Sequence, residues 1–386
     1  MEESFLLLHP RRKKSFWRSP LFHALLFVIT LLCTTFSGAE WMSGQSIHDL
    51  TWNQILEGLY FSIPFLAILT AHEFGHYFTA KYYRVNVSLP YYIPLWLFGM
   101  GVSIGTMGAF IQIRSAIRSR KEFFDIGYSG PWAGFFVAVV IIAYGFFNLP
   151  PVDYIFKIHP EYQVYGERYA DFVYKTIPEE MNIRLGTNLL FEIFKAIAPE
   201  PEKIPNPYEM MHYPFLFSGF LACFFTALNL LPIGQLDGGH ILYGLVGYRK
   251  HKIISTAFFF LLIFFGGLGL FSAQEANQDL TNFLTYAPLY VFVLYFIIER
   301  VFESKVYVLI AALGIFTLQF TVKTFIPTAD GFVGWLVFAG IIGRMLGVAH
   351  PPATYDAPLD TKRKIIGWLS MVLFILCFSP TPLVAL

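Results

Sequence analysis

His72, Glu73 and His76, in the run Ala71-His72-Glu73-Phe74-Gly75-His76, carry the side chains best spaced for chemistry in this chain. On a helix, positions four apart share a face, so the imidazoles of His72 and His76 can converge on one metal ion. Glu73 stands one position along, where its carboxylate can reach a water held by that metal. This is the pattern of a zinc hydrolase. The metal lowers the water's pKa toward about 7, and the carboxylate takes the proton as the water attacks a carbonyl. One Zn2+ per chain is expected. The run lies in an apolar stretch, and ionisable side chains within a bilayer are costly, so three in five residues point to function rather than packing.

A tetrahedral catalytic zinc needs a third protein ligand and one open position. The metzincin continuation is absent, since Thr79 and Tyr82 stand where its glycine and third histidine would fall. Glu122 and Asp125 follow the basic run Arg118–Lys121 and are expected at the membrane interface. Asp237 is the better candidate, in Asn229-Leu230-Leu231-Pro232-Ile233-Gly234-Gln235-Leu236-Asp237-Gly238-Gly239-His240. There a proline and glycines interrupt the helix and free the carboxylate to turn inward. Asn229, eight residues earlier, is expected in the site rather than as an ordinary interhelical hydrogen-bonder. His240 is a spare ligand by position but reads better as a cap or interface histidine. His212 is expected to mark the outer end of its span.

The elements that must position these residues are membrane spans. Of 386 residues, 56% are hydrophobic, 14% are charged and 43 are Phe, against roughly 25% charged in soluble domains. A water-soluble core cannot hide so much apolar surface, and an exterior facing lipid can. The composition excludes a disordered chain and a collagen-like one. A net charge of +1 excludes a nucleic-acid binder held by a basic field. Cys33, Cys223 and Cys377 form no C-x-x-C pair, so neither a disulfide framework nor a thiolate zinc site is expected.

Nine apolar stretches approach the length of a transmembrane helix: 21–36, 55–80, 123–147, 213–231, 253–271, 283–299, 306–322, 331–346 and 365–380. With the N-terminus cytoplasmic, 20 of the 27 Lys and Arg fall in inside segments, as the positive-inside bias requires. The other seven are Lys323 and the six between 148 and 212. Asp237 then returns to the side where His72 and His76 lie. The first stretch also has the make-up of a cleavable signal, with Arg11–Lys14 ahead and Ser37-Gly38-Ala39 behind, although its leading segment is long.

Two segments depart from a simple helix count. Residues 86–113 begin and end on the inside and carry Pro90, Pro94, Gly99, Gly101, Gly105 and Gly108, so a re-entrant hairpin is expected. Ala109 to Ile113 has the content of a strand. An edge there, at Gly108, Ile111 and Gln112, could pair with a substrate whose helix has unwound. Residues 148–212 form an extracytoplasmic insert with ten acidic and six basic residues and an amphipathic helix near 186–198. The fold class expected is an all-α polytopic membrane protein of about 8–9 transmembrane helices. Its parts are an N-terminal anchor (1–53), a core (54–248) holding hairpin and insert, and C-terminal helices (249–386).

H-E-x-x-H in an apolar span, paired with a later N-x-x-P-x-x-x-L-D-G, resembles the site-2 protease family of intramembrane zinc metalloproteases. Gly105-Thr106-Met107-Gly108, Phe124-Asp125 and Ser129-Gly130-Pro131 add to that resemblance over residues 54–248. Arg344 to Pro352 and Asp360 to Lys364 are similar to the C-terminal part of prokaryotic and chloroplast members. The resemblance implies zinc on His72, His76 and Asp237, with Glu73 as general base and Asn229 on the substrate strand or the oxyanion. It implies an endopeptidase whose partners are the lipid bilayer and a transmembrane protein substrate. The insert is too short for the PDZ domain of one branch. No Arg/Ser-rich transit segment stands out, so a prokaryotic cell membrane is expected. The competing readings are a transporter or channel lined by the same polar residues, and a non-catalytic scaffold, in which Glu73 would have no purpose.

Overall fold

The computed structural model describes residues 16–97, 103–176 and 183–385. Gly99 and Gly101 of the expected hairpin, and the basic run Arg11–Lys14, lie outside the described residues. The described part is mostly helical, and helices stand at all nine apolar stretches. Among the described residues, six helices are long and apolar enough to cross a membrane. These are α1 (Pro20–Ser43), the pair α2 (Trp52–Glu57) and α3 (Leu59–Tyr82), which run as one, and α4 (Arg120–Phe147). The others are α10 (Tyr248–Gly267), α12 (Leu280–Ile298) and α13 (Lys305–Phe325). The helices at the other three stretches, α8 (Pro214–Leu230), α14 (Val333–Ile341, continued by a π turn to Leu346) and α15 (Thr361–Cys377), are shorter. Between 17% and 39% of each long apolar window is buried within the chain, so most of each faces outward. That is the surface of an integral membrane protein.

Local chemistry sets the helix ends. Ser19 caps α1 by accepting from the Phe22 amide, with Pro20 in the first turn, and Gly44 ends it in the left-handed conformation. Thr51 with Gln54 and Ser119 with Glu122 form capping boxes at α2 and α4. Glu122, an alternative ligand by sequence, is therefore committed to the Arg118 and Ser119 amides just ahead of α4.

Two cores organise the helices. Phe61, Phe65, Phe124, Ile142, Phe217 and Phe220 pack α3, α4 and α8 together, and α9 (Asp237–Val246) and α15 close over them. A second core around Phe259, Ile263, Leu294, Ile297 and Ala339 joins α10, α12 and α14. The α3–α4 crossing is close because glycines line it. A Cβ on Gly75 would stand 2.5 Å from the Ser129 carbonyl oxygen, and one on Gly130 would stand 2.1 Å from His76 Nε2. Small residues that let backbones approach are how membrane helices associate without a hydrophobic drive.

The hairpin is β1 (Tyr91–Leu95) against β2 (Gly105–Phe110), antiparallel, with Tyr91 opposite Phe110, Leu95 opposite Gly105, and an irregularity between Tyr92 and Pro94. The strand thus lies earlier than the expected Ala109–Ile113. Gly108, at φ +101°, supplies a backbone conformation that lets Gly105–Gly108 join the strand rather than a loop. Beyond Phe110 only an isolated bridge, Val87 to Ile113, continues the pairing. The hairpin rests on α1, where His23 Nδ1 lies 3.1 Å from the Pro90 carbonyl and Trp41 Nε1 donates to Ser103 at 2.8 Å.

The insert holds α5 (Ile155–Ile158), α6 (Ala170–Thr176), β3 (Ile183–Leu185) and the expected amphipathic helix, α7 (Leu189–Ile197). β3 pairs with β4 (Leu383–Ala385), which ties the insert to the far end of the chain. α11 (Ala273–Gln278) links α10 to α12.

Candidate metal centre

α3 carries His72, Glu73 and His76 inward, all three buried. α8 ends at Leu230, and the irregular Leu231–Leu236 stretch delivers Asp237 at the start of α9. Gly234 there adopts φ +56°, and a Cβ on Gly238 would stand 2.0 Å from the Leu230 carbonyl oxygen. The glycines let the chain double back tightly enough to aim the carboxylate at α3. Asp237 Oδ2 lies 3.3 Å from both His72 Nε2 and His76 Nε2, and the two nitrogens are 3.1 Å apart.

Those separations can be tested against a metal. Zinc–nitrogen and zinc–oxygen bonds of about 2.0–2.1 Å in a tetrahedron place neighbouring ligand atoms about 3.3 Å apart. The three observed edges match. His76 Nδ1 lies 2.7 Å from the Ile126 carbonyl, which can only accept, so the ring hydrogen sits on Nδ1 and the Nε2 lone pair faces Asp237. Two imidazoles and one carboxylate are a donor set that suits zinc.

Asn229 reaches the same place, with Nδ2 3.3 Å from His72 Nε2. The Ile111 backbone N–H lies within hydrogen-bonding reach of the Glu73 carboxylate, so the chain leaving β2 passes Glu73. Gln112 N–H donates to Ser88 Oγ at 2.8 Å. The Gln112 N–H is therefore not open to an added strand. Gly108 keeps open space at its Cβ position.

Glu122, Asp125 and His240 are engaged elsewhere. Asp125 is buried, accepts from the Tyr83 hydroxyl, and pairs with Arg363 of α15 at 2.8 Å. His240 Nδ1 lies 2.8 Å from His350 Nε2, as suits an interface histidine. His350 stacks on Tyr243, and burial pushes its ring down to about 4. Reading the sequence did not find Ile126, Gly130 or His350. The Ser129-Gly130-Pro131 run was noticed, but nothing in it reveals that Gly130 abuts His76.

The profile of Peptidase family M50 matches residues 60–273, which hold His72, Glu73, His76, Asn229 and Asp237. The chain belongs to peptidase family M50. Among curated proteins, this M50 chain is similar to "Probable zinc metalloprotease EGY2, chloroplastic" of Oryza sativa subsp. indica. That match is 26% identical over 201 residues, 52% of this chain and 31% of the relative. It is also similar to "Probable zinc metalloprotease EGY1, chloroplastic" of Arabidopsis thaliana, 28% identical over 47% of this chain and 28% of that one. The corresponding protein of Oryza sativa subsp. japonica is 30% identical over 47% of this chain and 27% of its own length. The chain thus spans under a third of the length of these relatives. No solved structure gives a significant match to this M50 protein.

Proposed function

We propose that the chain is an intramembrane zinc endopeptidase that cuts transmembrane proteins within or near their spans, the chemistry of regulated intramembrane proteolysis. The observation that carries this reading is the convergence of His72, His76 and Asp237 at ligand-edge distances beside Glu73, within the M50 match. The named relatives, zinc metalloproteases by their printed names, support it. Residues 54–248 form its protease core, flanked by the 1–53 anchor and the 249–386 helices.

His72, His76 and Asp237 would hold one catalytic zinc. When bound, it supplies Lewis acidity, polarising a carbonyl and lowering the pKa of water toward about 7. Glu73 accepts the proton of the attacking water and returns it to the leaving amine. Ile126 keeps His76 in the one ring tautomer that leaves Nε2 free. The Asn229 amide donates to the substrate strand or to the developing oxyanion.

A helical substrate hides its scissile carbonyl in an i→i−4 hydrogen bond and must unwind first. The β1–β2 hairpin, dipping into the membrane, receives the unwound segment along β2 near Gly108, and Ile111 positions Glu73. Eight to nine spans, the three shorter apolar helices among them, surround this cavity, and the 148–212 insert lies extracytoplasmic. The residence proposed is a prokaryotic cell membrane with the N-terminus cytoplasmic. The charge bias supports the orientation, while the named relatives are chloroplastic.

The deciding experiment incubates purified protein with a panel of single-span peptides, with and without chelator. Chelator-sensitive cuts near one end of a span are expected. Intact peptides from a zinc-loaded protein would sink the peptidase reading and favour a transport path.

A further inference from the structure

The insert gathers three groups that the catalytic site does not use. His159 follows α5, and Glu209 and His212 flank the turn entering α8. Glu209 Oε2 lies 3.3 Å from His212 Nε2 and 3.6 Å from His159 Nε2, and the two nitrogens are 3.3 Å apart. His212 Nδ1 is 3.0 Å from the Met42 carbonyl, and His159 Nδ1 is 3.1 Å from a Glu161 carboxylate oxygen. Both partners only accept, so each ring holds a hydrogen on Nδ1 and turns its Nε2 inward. The Glu209 residue is 2% exposed, and its Oε2 has no hydrogen-bond donor. Its Oε1 accepts from the Tyr174 hydroxyl, which burial and the Glu209 charge hold far above the usual phenol range.

Three atoms able to ligate a metal therefore face one another, all within 3.6 Å. Such a cluster is costly unless a cation sits between its members. Its edges approximate those of a tetrahedral zinc site, about 3.3 Å, and match those of the His72, His76 and Asp237 set. A carboxylate or carbonyl behind each histidine is also the usual support of a metal-bound imidazole. We propose that His159, Glu209 and His212 hold a second divalent metal ion of the zinc class. It would staple the insert to the end of α1, through Met42, and to the start of α8. The seventeen residues of α8 separate it from the catalytic cluster by about 25 Å, at about 1.5 Å per residue. The inference is independent of the peptidase reading.

Equilibrium dialysis of the detergent-purified full chain against Zn2+, read by elemental analysis, tests it. Two zinc ions per wild-type chain are expected, and one in the His72→Ala/His76→Ala variant. Adding Glu209→Gln or His212→Ala to that variant should weaken the remaining site at least about 100-fold, the upper end of what a lost supporting contact costs. Chelator should lower the melting midpoint of His72→Ala/His76→Ala but leave the Glu209→Gln triple variant unmoved. His159→Ala alone, at a partly exposed position, should bring the wild-type count from two to one. A folded His72→Ala/His76→Ala chain that binds no zinc would overturn the proposal and leave a cluster that shares only a proton. A count unchanged by His159→Ala would also overturn it. Two bound zinc ions without peptide cleavage would sink the peptidase reading alone.

Discussion

At the residue scale, Glu73 and Asp237 have separable duties. Glu73→Gln fills the same space but cannot take a proton, so zinc content should hold while cleavage falls about 10²–10⁴-fold. A peptide assay beside elemental analysis checks both halves. Asp237→Ala should release zinc from the catalytic cluster instead, because Glu122, Asp125 and His240 are each committed to other partners. Retention of the catalytic zinc in Asp237→Ala would move the third ligand elsewhere. The two histidines and Glu73 were legible because their spacing is local and fits a helical face. Asp237 was legible only through the proline and glycines around it. Ile126 was not, because a backbone carbonyl has no side-chain identity to betray which ring it orients. His212 was read as a boundary residue, since its partners Met42 and His159 are distant in sequence.

At the element scale, the α3–α4 crossing and the hairpin carry the site. Gly130→Ala puts a methyl where His76 Nε2 now lies. The helices must part, at the roughly 1–3 kcal/mol typical of overpacking, and zinc should be lost with that shift. Elemental analysis and a melting curve should show both changes together. A zinc-loaded, fully stable Gly130→Ala protein would mean the crossing yields more easily than its geometry implies. In the hairpin, Ile111→Pro removes the N–H that faces Glu73, and Gln112→Pro removes the one that Ser88 Oγ receives. Both should keep zinc, and Ile111→Pro should cut at least roughly tenfold more slowly, the low end of a lost positioning contact. If hairpin and substrate pair as strands, the loss should be larger for helical peptides than for pre-extended ones. The helices were readable from hydropathy alone. The strand register was not, because Gly105 and Gly108 signal a loop by composition while serving a bulged strand by conformation.

At the scale of the whole molecule, the C-terminal helices are bound into the site rather than appended to it. Arg363 of α15 clasps the buried Asp125 of α4, and His350 meets His240. Arg363→Ala leaves the Asp125 carboxylate short of a donor, and stability should fall by about 1–3 kcal/mol. Asp125→Asn combined with Arg363→Ala should cost less than the two single changes summed, read from a double-mutant cycle of melting midpoints. Full additivity would show that the pair contributes nothing. These long-range pairings could not be read from one sequence, where 238 and 110 positions separate the partners. Separation along the chain also governs how the protein comes into being. His72 and Asp237 lie 165 positions apart, so at about 5–20 residues per second a ribosome needs roughly 8–33 s between them. Through that interval the nascent chain holds two histidines and a base in the membrane without the third ligand. The clasp that closes over them arrives later still, with Arg363. On the proposed peptidase reading, a chain abandoned part-way through synthesis therefore lacks the means to cut the membrane proteins beside it.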